Sequence, residues 1–315
     1  MTLQDNLHYF KISIANTEQI FDDRYMFLDL NKDIDKYVEA TQKTKELLAT
    51  IKTLRAKGDE ATETYKKLFE LWKSDYGSKS EFNCFLAACD TTREDIEKDF
   101  VSFVKIVNWF LEHRSLNLVT PHEWVQALLD SIASKSKRNC GEEKLSEIAQ
   151  QHGFKLVDNW DSFKNTKKSV AIYSNKVFDL DNINTNLKIN LPNENQNKKN
   201  DIILKNNNLF VFIEAKHLKG QGGEQGNQVG ELINLIKKTN VGDNVYLGGF
   251  LDGVYSNKLL SSITDEEIKN PEIIPSKPKK NKQKKEIIET LNSNPNSFWF
   301  NTAGFKEFVK DFGEI

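Results

Sequence analysis

The stretch from Asp201 to Gln228, DIILKNNNLFVFIEAKHLKGQGGEQGNQ, holds the charged residues best placed to do chemistry. An apolar run from Leu209 to Ile213 leads into Glu214 and Lys216. Alternation along an extended strand puts these two side chains on one face, with Phe210 and Phe212 behind them. Asp201 opens the preceding apolar run, and Asn206, Asn207 and Asn208 supply a turn that brings the two runs side by side. Two carboxylates and a lysine can therefore converge at one end of a hairpin. Burying such charges costs several kcal/mol unless something compensates them. Carboxylate oxygens with little nitrogen or sulfur nearby suit a hard cation such as Mg2+, which keeps its own waters and bridges to substrate phosphates. The metal lowers the pKa of a bound water and polarises a phosphoryl oxygen, while the lysine orients the nucleophile or stabilises developing negative charge. That chemistry is phosphodiester hydrolysis.

Glu-x-Lys by itself says little in a chain this rich in both residues: Glu142 to Lys144 and Glu267 to Lys269 also match, without a strand around them. A strand-end salt bridge on the surface is the competing reading of Glu214 and Lys216. What distinguishes this copy is its place at the end of an apolar strand with an acid at the start of the strand before it. Asn200-Asp201, followed after twelve residues by Glu214-Ala215-Lys216, resembles the signature of the PD-(D/E)xK nucleases. The longer string EAKHLKGQGGEQGNQ resembles the form carried by type II restriction endonucleases. Asn200 stands where the signature has proline. The resemblance covers roughly residues 138–250 and extends to the final strand and helix. It implies that Asp201 and Glu214 ligate Mg2+, with Mn2+ as a substitute, that the Ala215 carbonyl adds a ligand, and that Lys216 serves the attacking water. In that superfamily an acid on a helix before the strands often completes the site. GEEKLSEIAQQHGF resembles this helix, with Glu143 the best-spaced candidate and Glu147, one turn later, the second.

Gly220, Gly222, Gly223 and Gly226 fit neither GxGxxG nor a Walker loop, so no nucleotide cofactor is expected. They form a flexible loop, or they allow close backbone approach to a DNA phosphate at the N-terminus of a helix over 228–238, with Lys219, Gln225 and Gln228 nearby. Between Thr264 and Thr290 the chain is punctuated by proline and carries Lys277, Lys279, Lys280, Lys282, Lys284 and Lys285. This reads as a solvated, mobile loop, with a non-specific grip on a polyanion as the sharper alternative.

These residues must be held by a scaffold. The 315 residues suffice for two domains, and the net charge of −2 argues neither for nor against nucleic acid. Cys84, Cys89 and Cys140 have no paired spacing, so neither a disulfide framework nor a four-ligand zinc site is expected. His122, beside a helix start, reads as a capping or packing residue. No apolar run approaches membrane-spanning length and the first residues lack a signal-peptide pattern, which predicts a cytoplasmic protein without a membrane partner.

Residues 1–138 read as mostly helical. Val38, Leu47, Leu48, Ile51 and Leu54 fall at helical spacing within 33–71, as do Phe100, Phe103, Val104, Val107 and Phe110 within 93–133. A coiled coil over 33–72 is the weaker alternative, because the apolar pattern breaks. KSDYGSKSEFN separates the helices, and Thr120 with Pro121 marks a later helix start. Trp72, Trp109 and Trp124 read as core residues rather than base-stacking platforms.

From 139 to 315 the texture changes. A helix with Leu145, Ile148, Ala149 and His152 on one side stops at Gly153, then short strands FKLV and SVAIYS, an Asn-rich loop, the hairpin, a helix in VGELINLIKK, strand VYLGGFLDG and a last strand and helix follow. Interleaved strands and helices predict an α/β domain, and the resemblance makes it a restriction-endonuclease-like mixed central sheet flanked by helices. The function implied is a Mg2+-dependent type II restriction endonuclease of bacterial or archaeal origin, cutting double-stranded DNA. One motif per chain favours a homodimer, with the helical domain supplying dimer contacts or target readout. A modification-dependent or other defence nuclease on the same fold, or a silent DNA-binding protein, are the alternatives.

Overall fold

A computed structural model describes residues 3–20, 33–77, 80–133, 140–173, 176–191, 201–220 and 223–315. The chain divides into two compact units: residues 1–22 with 137–315, and residues 23–136. The first helix, α1 (Asn6–Ala15), therefore belongs to the second half of the chain and not to the helical domain that the sequence places at 1–138. Its side chains explain this: Asn6 Nδ2 donates to the carbonyls of Leu291, Asn294 and Ser297 at 2.8, 3.0 and 2.9 Å, and Asn301 Nδ2 donates to the Ser13 carbonyl at 2.9 Å.

Among its described residues the unit over 23–136 holds helices and no strand: α2 (Ile34–Lys57), α3 (Thr62–Lys73), α4 (Glu81–Ala87), α5 (Arg93–Lys98), α6 (Phe100–His113) and α7 (His122–Ala133). The apolar pattern over 33–71 is two helices, because Gly58 takes a left-handed conformation (φ +77°) that ends α2. Leu48, Ile51, Leu68, Trp72, Phe82, Phe103 and Val107 form its main core. Trp124 packs against a smaller cluster with Val125 and Leu129. Trp109 departs from the expected core role: it is 54% exposed, edge-on to Phe85.

The other unit continues with α8 (Cys140–Gln151), β1 (Lys155–Leu156), α9 (Trp160–Asn165), β2 (Lys168–Ile172), α10 (Leu180–Leu187), β3 (Ile202–Asn206), β4 (Leu209–His217), α11 (Gly223–Ile236), β5 (Val245–Asp252), α12 (Val254–Leu260), α13 (Asp265–Lys269), α14 (Lys279–Ser293), β6 (Ser297–Phe300) and α15 (Thr302–Glu314). The six strands form one mixed sheet in sequence order. β2, β3 and β4 are antiparallel neighbours, while β1 runs parallel to β2, and β4, β5 and β6 are mutually parallel. The chain is thus an α/β protein, as the interleaved pattern predicts.

Alternation sorts the strand residues into two layers. Val170, Ile202, Leu204, Val211, Ile213 and Phe250 face Leu145 and Ile148 of α8 and Phe305 and Phe308 of α15. Ala171, Ile203, Phe210, Phe212 and Leu247 face Phe163 of α9 and Ile183 of α10, and Leu251 and Trp299 meet α11, α12 and α14. Both faces are covered. This is why β3 and β4 read as continuous apolar runs.

Two loops expected from the sequence are partly helix. In the Asn-rich stretch, Asp179 caps α10 by accepting the Asn182 N–H at 2.8 Å, and Ile183 anchors the turn in the core. In the Lys-rich stretch, α13 begins with a Thr264–Glu267 capping box and α14 spans Lys279–Ser293. Lys284, Ile287, Ile288 and Leu291 recur at helical spacing and are buried. The charged half of α14 masks its apolar half when the lysines are read alone. Among the described residues no helix is long and apolar enough to cross a membrane.

Candidate active site

The hairpin forms as the sequence predicts. Ile202 stands opposite Ile213 and Asn206 opposite Leu209, with Asn207 in the left-handed region (φ +54°) at the turn. Asp201, just before β3, stays in register: its N–H donates to the Ile213 carbonyl at 2.8 Å. Its side chain closes the end of the hairpin, Oδ2 accepting the Ala215 N–H at 2.5 Å. Asp201 is thereby fixed between Glu214 and Lys216. Lys216 Nζ lies 2.8 Å from Glu214 Oε1 and 3.6 Å from Glu231 Oε2. Glu214 is buried, with 7% of its surface exposed.

The α8 acid that lies by Asp201 is a neighbour of the expected one. Glu142 at the start of α8 is half-buried and hydrogen-bonded to Asp201, whereas Glu143 and Glu147 are exposed. Phase on the helix decides this. Glu142 lies three residues before Leu145 and seven before Ala149, so it extends the buried stripe. Glu143 and Glu147 share a different face. Gly141 lets this turn come close: a Cβ there would stand 3.2 Å from the Ala215 Cβ. The apolar phase of α8, run back one turn from Leu145, carries the signal for Glu142. No comparable sequence signal marks Glu231, whose role depends on α11 folding back over β4.

Electrostatics follow from this crowding. Burial chiefly, with the nearby Glu142 and Glu214, pushes the Asp201 carboxyl up to about 7 against the relief given by the Ala215 N–H and Lys216. Burial likewise raises Glu142, with Glu143 adding repulsion, while its hydrogen bond to Asp201 and the Lys216 charge pull the other way. Burial disfavours the Lys216 ammonium, but Glu214, Asp201 and Glu231 outweigh it and hold its pKa above the ordinary value.

Among the described residues no three His, Cys, Asp or Glu side chains are grouped to enclose a metal ion by themselves. The donors at the hairpin end are nevertheless oxygens of the kind Mg2+ takes: one or two carboxylates and a backbone carbonyl. The raised Asp201 and Glu142 carboxyls mark a surplus of negative charge that a cation would relieve. The residues present fit the group.

Lys219 is exposed just after β4, and Gln228 is half-buried within α11, which begins at Gly223 rather than 228. The Gln225 side chain, Asn200 and Gly222 lie outside the described residues. Lys277, Lys279 and Lys282 are exposed and Lys280 is half-buried. Lys284 is 4% exposed, donates to Ser262 Oγ at 3.3 Å and has its pKa lowered by burial. Lys285 pairs with Glu272 at 2.5 Å. Lys284 is thus a packing residue of α14, while Lys285 is partly exposed in its ion pair. No family model matches the chain, nor does any curated protein or solved structure.

Proposed function

We propose that the chain is a Mg2+-dependent endonuclease of the PD-(D/E)xK kind, with a restriction-endonuclease-like fold, cutting double-stranded DNA at a specific short sequence. The observation that carries the reading is the clasp of Asp201 on the Ala215 N–H, which sets an acid from one strand beside Glu214 and Lys216 of the next. A strand-end salt bridge would require only the last two. Asp201, Glu214 and the Ala215 carbonyl are the groups that would hold Mg2+, with Glu142 taking the part expected of Glu143. When bound, the cation would lower the pKa of an attacking water and polarise the scissile phosphate.

The chain's own side chains do the rest. Lys216, steered by Glu214 and Glu231, keeps its proton and presents a cation to the attacking water or to the charge developing on phosphorus. Burial raises both the Asp201 and Glu142 carboxyls, and a bound cation would favour their ionised forms. The sheet face behind Glu214, lined by Phe210 and Phe212, is buried. A double-strand cut by one motif per chain calls for two chains on a palindromic target.

The test is digestion of long, sequence-diverse, unmethylated DNA with Mg2+, beside EDTA and Glu214→Ala controls. Discrete bands lost in both controls are expected. A smear would keep the nuclease and remove sequence specificity, and DNA left intact under all conditions would refute cleavage of unmodified DNA.

A further inference from the structure

A buried ion cluster that this chemistry does not use lies beside the strand-end acids. Lys144 Nζ stands 3.0 Å from Asp252 Oδ1 and 3.7 Å from Glu18 Oε2, and all three side chains are at most 5% exposed. Asp252 ends β5 opposite His217 of β4. Its Oδ1 also accepts the Gly253 N–H at 2.7 Å, and its Oδ2 is 3.5 Å from His217 Nδ1. Glu18 accepts the N–H and the hydroxyl of Thr302 at 2.6 and 2.8 Å. Lys144 thus ties α8 to the end of β5 and, through Glu18, to the first residue of α15.

The position of Lys144 on α8 gives the cluster a purpose. Two residues along a helix turn through roughly 200°, so Glu142 and Lys144 leave α8 on opposite sides. Glu142 reaches Asp201 at β3, Gly141 rests on Ala215 of β4, and Lys144 reaches Asp252 at β5. The first turn of α8 straddles the end of β4 and is moored on both flanks. Buried ion pairs commonly add little stability over well-packed apolar residues. What the pair adds is direction.

We propose that Lys144, held by Asp252 and Glu18, is a positioning residue that fixes the first turn of α8 so that Glu142 meets Asp201. Its catalytic consequence rests on the nuclease reading above. Its mechanical consequence does not.

The experiment compares the full chain with Lys144→Met and with Lys144→Met/Asp252→Asn. The trio of Glu18, Lys144 and Asp252 carries −1 in the parent and in the double variant but −2 in the single one, so the double variant keeps the test alive should the single one misfold. Expected for the folded double variant is at least about tenfold faster hydrogen exchange at the amides of Lys144 to Ile148, with exchange elsewhere in the sheet unchanged. Cleavage should fall by on the order of a hundredfold in kcat with KM for DNA unmoved, the usual consequence of misplacing a reacting group by an ångström. In a Glu142→Gln background the same pair of substitutions should cost nothing further, because Lys144 acts through Glu142. Exchange and kcat within about twofold of the parent, or losses that add in the Glu142→Gln background, would overturn the proposal. A parent chain that cuts no DNA would remove the nuclease reading, and the exchange result would still decide whether Lys144 moors the helix.

Discussion

Asp201→Asn should make the metal-free protein more stable while stopping cleavage. The Asp201 carboxyl moves from an ordinary 3.8 to about 7 in the folded chain, chiefly by burial and then by its acidic neighbours. Because the folded pKa is the higher one, the fold favours the protonated form. The penalty for ionising is absent below about pH 4, grows as pH rises through the interval, and is complete above about pH 7. Three pKa units at about 1.36 kcal/mol each set a ceiling of about 4 kcal/mol. Asp201 keeps some contact with solvent and has Lys216 near, so roughly half of that is the better expectation. Asparagine carries no charge to bury and can still accept the Ala215 N–H through Oδ1.

The assay is thermal unfolding in EDTA at pH 8 and pH 5. At pH 8 the variant should melt above the parent by about 4–8 °C for a unit of this size, and at pH 5 the gap should shrink to a fraction of that. Adding Mg2+ should raise the parent, since a cation that binds only the folded chain stabilises it by mass action, and should raise the variant less. A variant less stable than the parent at pH 8, or a gap that does not close on acidification, would refute the claim that Asp201 sits in uncompensated negative charge.

Lys216→Ala should abolish cleavage and leave sequence-specific DNA binding, read by gel shift, within a few-fold of the parent; loss of folding instead would make the lysine structural. Of the helix acids, Glu142→Gln should reduce kcat by on the order of a hundredfold or more, while Glu143→Gln and Glu147→Gln should stay close to the parent, and the reverse order would put the site on the other face of α8. Replacing Lys277, Lys279 and Lys282 together by Gln should flatten the salt dependence of DNA binding by up to about one log unit for each phosphate no longer neutralised. An unchanged slope would leave these lysines as solvated charge.

The hairpin and the meeting of Asp201, Glu214 and Lys216 were legible in the sequence because they are local. Alternation assigns Glu214 and Lys216 to one face, the asparagine turn fixes the register, and the register alone brings Asp201 back to the end of β4. The α/β character of the second half was legible for the same reason, each strand or helix having its own periodicity. Glu142 was a matter of phase: its stripe partners Leu145 and Ala149 were visible, yet only packing on Ala215 showed that the stripe runs on to the acid rather than to Glu143. The helical nature of α14 was hidden because its lysines cluster at one end and its buried residues at the other.

Other features belong to the tertiary structure alone. That α1 joins the sheet across nearly the whole chain rests on Asn6 and Asn301 finding distant backbone partners, and no local pattern encodes a partner so far along the chain. The ties from Glu231 to Lys216 and from Lys144 to Asp252 likewise depend on where helices settle over strand ends. A sequence states which side chains share a strand or helix face, because backbone geometry repeats about every two or 3.6 residues. Which faces meet is decided by packing the whole apolar surface at once.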